Sequence, residues 1–159
     1  MSRLPGLGPR GEGWLALQLL LLLAIGASAL LFAPSLSGAQ RSVAIVVGAA
    51  MILLGVGVVA LAARQLGQGA TPLPRPPEGA PLVVEGLYRE VRHPIYVGVI
   101  LSAAGWSVAM ASLPALLLSG ALVVLLDLKA RREEAWLIER HPRYAGYLRR
   151  TRRFIPRLY

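Results

Sequence analysis

The sequence predicts an all-α chain folded as an integral membrane helical bundle of about four spans. Three observations predict it. Of 159 residues, 55% are hydrophobic and only 16% charged, and the mean hydropathy is +0.58, whereas a soluble domain carries about 25% charged residues. The apolar residues fall in long uninterrupted runs. The 17 Lys+Arg against 8 Asp+Glu, a formal charge of +9, lie almost wholly outside those runs. One domain covering 1–159 follows from the length.

Residues 14–33 form the first span, 20 residues without a charge and enough to cross roughly 30 Å of hydrocarbon as a helix. Residues 42–63 form the second, an uncharged run of 22. Residues 95–111 and 114–128 form the third and fourth. Pro114 suits a first helical turn and Ser112 can cap it, so these two read as a tight antiparallel hairpin. A loop over 64–94 joins spans two and three, and a segment over 129–159 follows span four. That segment continues the fourth helix outward and includes an amphipathic helix.

Sixteen of the seventeen basic residues fall on one side of this arrangement. They include Arg3 and Arg10 in the N-terminal tail, and Arg64, Arg75, Arg89 and Arg92 in the loop. Ten more lie between Lys129 and Arg157. Arg41 stands alone opposite. The positive-inside rule places both termini and the loop in the cytoplasm. The excess charge therefore describes topology, and no nucleic-acid partner is expected.

With no cysteine, thiol nucleophiles, thiolate metal sites and disulfides are excluded. His93 and His141 are too few and too far apart in sequence for a histidine metal site, so no metal is expected. Two local patterns have competing readings. Arg3, Arg10, an apolar core and Ala27-Ser28-Ala29 resemble a cleavable signal, but apolar sequence resumes at Leu30-Leu31-Phe32. Gly55-Val56-Gly57-Val58-Val59-Ala60 matches a dinucleotide fingerprint by letter. It lies inside an uncharged run with no strand before it, so close helix packing through small residues is expected instead.

Chemistry can gather where the loop and the tail share the mouth of the bundle. Prolines from Pro72 to Pro77 exclude a helix in the loop. Arg92 and His93 stand immediately before Pro94, which suits the first turn of span three. The free N–H groups of that helix end favour an anion, and Arg92 and His93 add donors. Equally, Arg92 reads as an interfacial anchor, and Tyr88 and Tyr96 as belt aromatics. Lys129 and Glu133 lie four apart on one helix face, with Trp136 and Leu137 beside them. The bland reading is a solvated face; against it, Glu133 and Glu134 in a basic segment can receive a cationic ligand. The tail from Arg143 to Pro156 interleaves Arg with Tyr, Phe and Ile, as suits anionic headgroups with apolar side chains dipping into the interface.

The string Arg92-His93-Pro94-Ile95-Tyr96-Val97-Gly98 resembles the signature of the isoprenylcysteine carboxyl methyltransferases and their phospholipid methyltransferase relatives. So does Glu133-Glu134 with Tyr144, Tyr147, Arg153 and Pro156 after it. Thr71-Pro72-Leu73-Pro74 resembles the bacterial branch. The resemblance covers roughly residues 67–159. It implies a membrane enzyme that uses S-adenosylmethionine, held between the loop and the helix carrying the Glu pair. Leu82 and Val83 would line the cofactor cavity and Tyr88 would touch the cofactor. His93, Pro94, Ile95 and Tyr96 would wrap its amino-acid part, with Arg92 adding donors. Glu133 would take a polar group of the cofactor, with Glu134 in support. Lys129 stands where prenylcysteine enzymes have an Arg that orients the substrate carboxylate. A point charge lacks the bidentate fork, which argues against a prenylcysteine acceptor. Arg140-His141-Pro142-Arg143-Tyr144 repeats the first motif where the family has Phe-Gly before the tyrosine. It does not open an apolar span, and chance repetition is expected.

The implied reaction is an in-line methyl transfer, with Lys129 and Glu133 as the catalytic candidates. The expected partners are membrane lipid and a lipophilic small-molecule acceptor, either carboxylate or amine. A bacterial inner membrane is the expected location. Two other readings are a membrane reductase of related fold using NADPH, and a non-enzymatic scaffold or transporter subunit.

Overall fold

A computed structural model describes residues 4–75 and 79–159. Arg3 of the charge count, and Pro76 and Pro77 of the loop, lie outside the described residues. The chain is an all-helical bundle: α1 Glu12–Leu31, α2 Gly38–Leu66, α3 Pro94–Ala109, α4 Leu113–Arg140 and α5 Tyr144–Arg150, with short 3-10 turns at Gly67–Gly69 and Gly86–Arg89. Among the described residues, extended pairing is confined to one parallel bridge between Val91 and Arg152.

Local signals set most helix ends. At the start of α2, the Ser37 side chain and Gln40 form a reciprocal capping box, which satisfies donors the helix itself cannot. Pro94 occupies the first turn of α3, after His93. Ser112 accepts from the backbone of Ala115 to cap α4, as its place before Pro114 predicts.

The spans differ from expectation at α3. α1, α2 and α4 are each long and apolar enough to cross a membrane. α3 has 16 residues, about 24 Å of helix, and is shorter than a span on its own. The fourth helix continues past residue 128 as expected: α4 runs unbroken for 28 residues. No Gly or Pro interrupts Asp127 to Arg140, and Asp127 accepts from Arg131 one turn later at 2.7 Å, so nothing stops the helix.

α2 and α3 pack closest, and glycine is the reason. A methyl group on Gly48 would sit 2.5 Å from the carbonyl oxygen of Gly105, and one on Gly55 2.6 Å from that of Gly98. The two backbones are in antiparallel contact, the small-residue packing that helices adopt in lipid. Gly55 thus has the packing role expected of it, whereas Gly57 faces open space.

The bundle core joins Ile25 and Ala29 of α1, Tyr96 and Ala103 of α3, Leu122 and Leu126 of α4, and Phe154 of the tail. Leu23, Leu31, Val46, Leu53, Leu117 and Val124 point outward and are more than half exposed, as lipid-facing side chains are. Buried hydroxyls bridge the helices: Ser107 and Ser119 meet at 3.0 Å, and Ser112 donates to the Ser28 carbonyl.

This packing gathers the N-terminal segment, the loop over 64–94 and the tail at one end of the bundle. Arg75 donates to the carbonyls of Pro9 and Arg10. The tail lies against the loop, the amides of Arg92 and His93 donating to the carbonyls of Arg152 and Arg153. Arg41 lies at the opposite end, donating to the Pro34 carbonyl. The tail expectation needs correcting here: Phe154 is buried in the bundle core and does not dip outward. The main-chain bonds to Arg92 and His93 hold the segment inward. Ile155 is half exposed.

Candidate active site

Beneath the loop lies a cavity of about 300 Å³, within the size range of small-molecule sites. α1, α3, α4, α5 and the loop all contribute to its walls. Of the residues expected to meet a cofactor, Leu82, Val83, Tyr88, Arg92, His93, Ile95, Tyr96 and Glu133 line it, and so does Lys129. Pro94 and Glu134 do not. Pro94 is buried at the start of α3, and Glu134 lies one residue around α4, behind the wall.

Glu134 anchors that wall. Its carboxylate accepts from Arg92 Nε at 2.8 Å and from Arg153 Nη2 at 2.9 Å. The Nε2 of His93 lies 3.2 Å from its Oε1, a contact that makes Nε2 the protonated nitrogen. Arg92 also donates to the carbonyls of Leu148 and Thr151. Its Nε and Nη1 donors are thus engaged within the protein. Arg92 therefore ties the cavity wall to the tail while itself lining the cavity. Arg153 extends the network to Asp127 at 2.6 Å.

With Glu134 engaged, His93 presents its other face to the cavity. It is 6% exposed and stacks on the Tyr96 ring at 5.2 Å, its Nδ1 3.7 Å from Glu133. Tyr96 donates its hydroxyl to Glu133 at 2.8 Å. Glu133 has no guanidinium partner among the described residues, so it is the carboxylate of the pair open to a cationic ligand.

Lys129 is 1% exposed and, among the described residues, has no carboxylate in hydrogen-bond contact. Its ammonium donates to Gln18 Oε1 at 2.7 Å and to the Pro72 carbonyl at 2.9 Å, and it lies 5.2 Å from the centre of the Tyr96 ring. A buried ammonium with neutral partners retains its charge demand, which an anion entering the cavity satisfies. Leu137 shares this face of α4. Trp136, expected beside it, instead turns to the N-terminal segment, where the Arg132 guanidinium covers its ring at 4.2 Å.

Three tyrosines, Tyr88, Tyr144 and Tyr147, complete the lining. Burial raises the pKa of each, reinforced by Glu133 at Tyr88 and by Glu134 at Tyr144. Tyr147 is pushed up to about 12, and it donates its hydroxyl to the Tyr88 carbonyl. All three phenols are neutral donors at physiological pH. Among the described residues, no three His, Cys, Asp or Glu side chains come together as a metal ion requires.

Several lining residues lay outside the sequence expectation. Gln18 had a signal, being one of two polar side chains within the first apolar run, and polar groups at such depth carry function by default. His141 and Tyr144 belong to the repeated Arg-His-Pro motif expected to be chance. Both line the cavity, so the repeat reaches its wall. Pro72 contributes through its carbonyl, for which no sequence pattern exists.

The family model described as phospholipid methyltransferase matches residues 43–144. The match runs from α2 to the first residue of α5, and so includes the loop, the Arg92–Tyr96 motif and the Glu pair. No curated protein matches the chain.

Proposed function

The chain belongs to the phospholipid methyltransferase family, and from that membership we propose that this membrane methyltransferase uses S-adenosylmethionine in the cavity beneath the loop to methylate a lipophilic acceptor. One observation carries the reading: Lys129 and Glu133, an ammonium and a carboxylate one helical turn apart, line the same cavity. The lining suits a zwitterionic cofactor bearing a nucleoside. Glu133, held by Tyr96, takes the cofactor's ammonium. His93, Ile95 and Tyr96 surround its amino-acid part, and Leu82, Val83 and Tyr88 take apolar and aromatic surface. Pro94 fixes the start of α3, while Arg92 and Glu134 keep the wall rigid.

When bound, S-adenosylmethionine supplies a methyl group activated on a sulfonium. The protein's own part is to align an acceptor with that methyl and to exclude water. The middle loop roofs the cavity and the bundle closes its floor. Lys129, the one unpaired cation on the described lining, orients an anionic group of the acceptor. A carboxylate acceptor is nucleophilic as it stands. An amine acceptor must lose a proton, and with two guanidiniums on Glu134 and the cofactor's ammonium on Glu133, neither carboxylate is free to take it.

Access from lipid supports an apolar acceptor. A groove of about 400 Å³ between α1, α2 and α3, bordered by Leu22, Ile25, Val59 and Trp106, includes Val99, which also lines the cavity. An alkyl chain in that groove leads to the reacting end without crossing water. The basic end of the bundle faces the cytoplasm of a bacterial inner membrane in this reading.

Methyl transfer from labelled S-adenosylmethionine to a lipid extract tests the acceptor class. Label recovered in the organic phase is expected, and label confined to soluble acceptors would contradict it.

A further inference from the structure

Next to the cavity, and divided from it by Leu82, His141 and Tyr147, lies an open cleft of about 1280 Å³. Three arginines from separate places line it: Arg89 at the end of the 3-10 turn, Arg143 before α5 and Arg150 at its last residue. No acidic residue is among its lining. The contrast with the other arginines of this end is sharp. Arg92, Arg131 and Arg153 each pair with a carboxylate, whereas Arg89, Arg143 and Arg150 form no ion pair with any described carboxylate. Like charges that line one cleft without a counterion repel one another, and an anion relieves that repulsion.

We infer that this cleft is a phosphate-binding site, separate from the methyl-transfer cavity. Guanidinium forks match phosphate oxygens in shape as well as charge, and three of them from three places can surround one tetrahedral group. A carboxylate would engage one fork and leave the others unpaired. The His141 ring on the dividing wall offers an N–H donor. The phosphate comes either from a lipid headgroup at the membrane surface or from a soluble phosphate, and recognition is the same for both.

Thermal unfolding of the full chain in maltoside micelles tests the site without reference to methyl transfer. The probes are inorganic phosphate, dihexanoyl phosphatidate and dihexanoyl phosphatidylcholine, each against sodium chloride at equal ionic strength. Phosphate or phosphatidate is expected to raise the unfolding temperature saturably. Arg143→Gln with Arg150→Gln is expected to weaken that effect at least about tenfold, the loss of one or more charge-assisted hydrogen bonds. Arg89→Gln, on a different element, tests the same site if the double variant fails to fold. A response to phosphate alone identifies a soluble ligand; a response to phosphatidate only identifies a headgroup. No saturable response to either, or one that these substitutions leave unchanged, overturns the inference.

Discussion

The ammonium of Lys129 on α4 donates to the side-chain oxygen of Gln18 on α1 at 2.7 Å, and so ties the first helix to the cavity wall. The carbonyl of Pro72 takes a second N–H at 2.9 Å, bringing the roof loop to the same charge. One buried cation thereby joins three parts of the chain that are distant in sequence. It also gives α1 a role in the site beyond filling the bundle.

Gln18→Leu is expected to destabilise the protein more than Lys129→Met. The first leaves a buried ammonium short of a partner, at a cost of about 1–3 kcal/mol; the second removes the charge and keeps the volume. Thermal unfolding in detergent compares them. Lys129→Met is also expected to retain cofactor binding while turnover falls at least about tenfold, from the loss of one charge-assisted contact.

The two adjacent carboxylates are expected to fail differently. Glu134→Gln strips the compensating charge from Arg92 and leaves Arg153 only Asp127, and breaking a buried ion pair on one side costs about 3–5 kcal/mol. Glu133→Gln leaves the fold standing and weakens cofactor binding. Unfolding temperature and ligand affinity, measured on both variants, separate the two roles.

The α2–α3 contact gives a test that involves no chemistry. Gly55→Ala drives a methyl group against the Gly98 carbonyl and the Ser102 hydroxyl, an overpacking cost of about 1–3 kcal/mol. Gly57→Ala meets nothing within 4 Å and is expected to leave stability unchanged or slightly raised. Equal effects of the two substitutions would contradict the close approach of these helices.

Tyr147 predicts the alkaline limb of stability. Its folded pKa of about 12 lies above the ordinary tyrosine value near 10, so the folded protein holds this proton more tightly than the unfolded chain. Its contribution is whole below about pH 10 and is lost as pH rises toward 12. Tyr147→Phe is expected to show a shallower decline over that window in pH-dependent unfolding.

Elements with a local cause were legible in the sequence. Ser112 before Pro114 and Pro94 after His93 set helix starts through their own backbone chemistry, and the apolar runs set the bundle. The continuation of α4 past its apolar run was legible in the four-residue spacing of Lys129 and Glu133 on one helix face. At the site, the Arg92–Tyr96 motif and the Glu pair carried local patterns and meet in space. Gln18, Pro72 and Tyr147 reach the cavity through packing between distant segments, which periodicity does not encode. The partners of Arg92, Glu134 and the carbonyls of Leu148 and Thr151, were not legible for the same reason: they meet it only once the tail has folded against the loop.

Calorimetric titration of S-adenosylhomocysteine into the detergent-purified protein tests the central claim most directly, with NADPH as the comparison. Saturable binding of S-adenosylhomocysteine, weakened at least about tenfold by Glu133→Gln through loss of one charge-assisted contact, with no binding of NADPH, is the predicted result. Absence of binding by the folded wild-type protein, or binding of NADPH in its place, would contradict it.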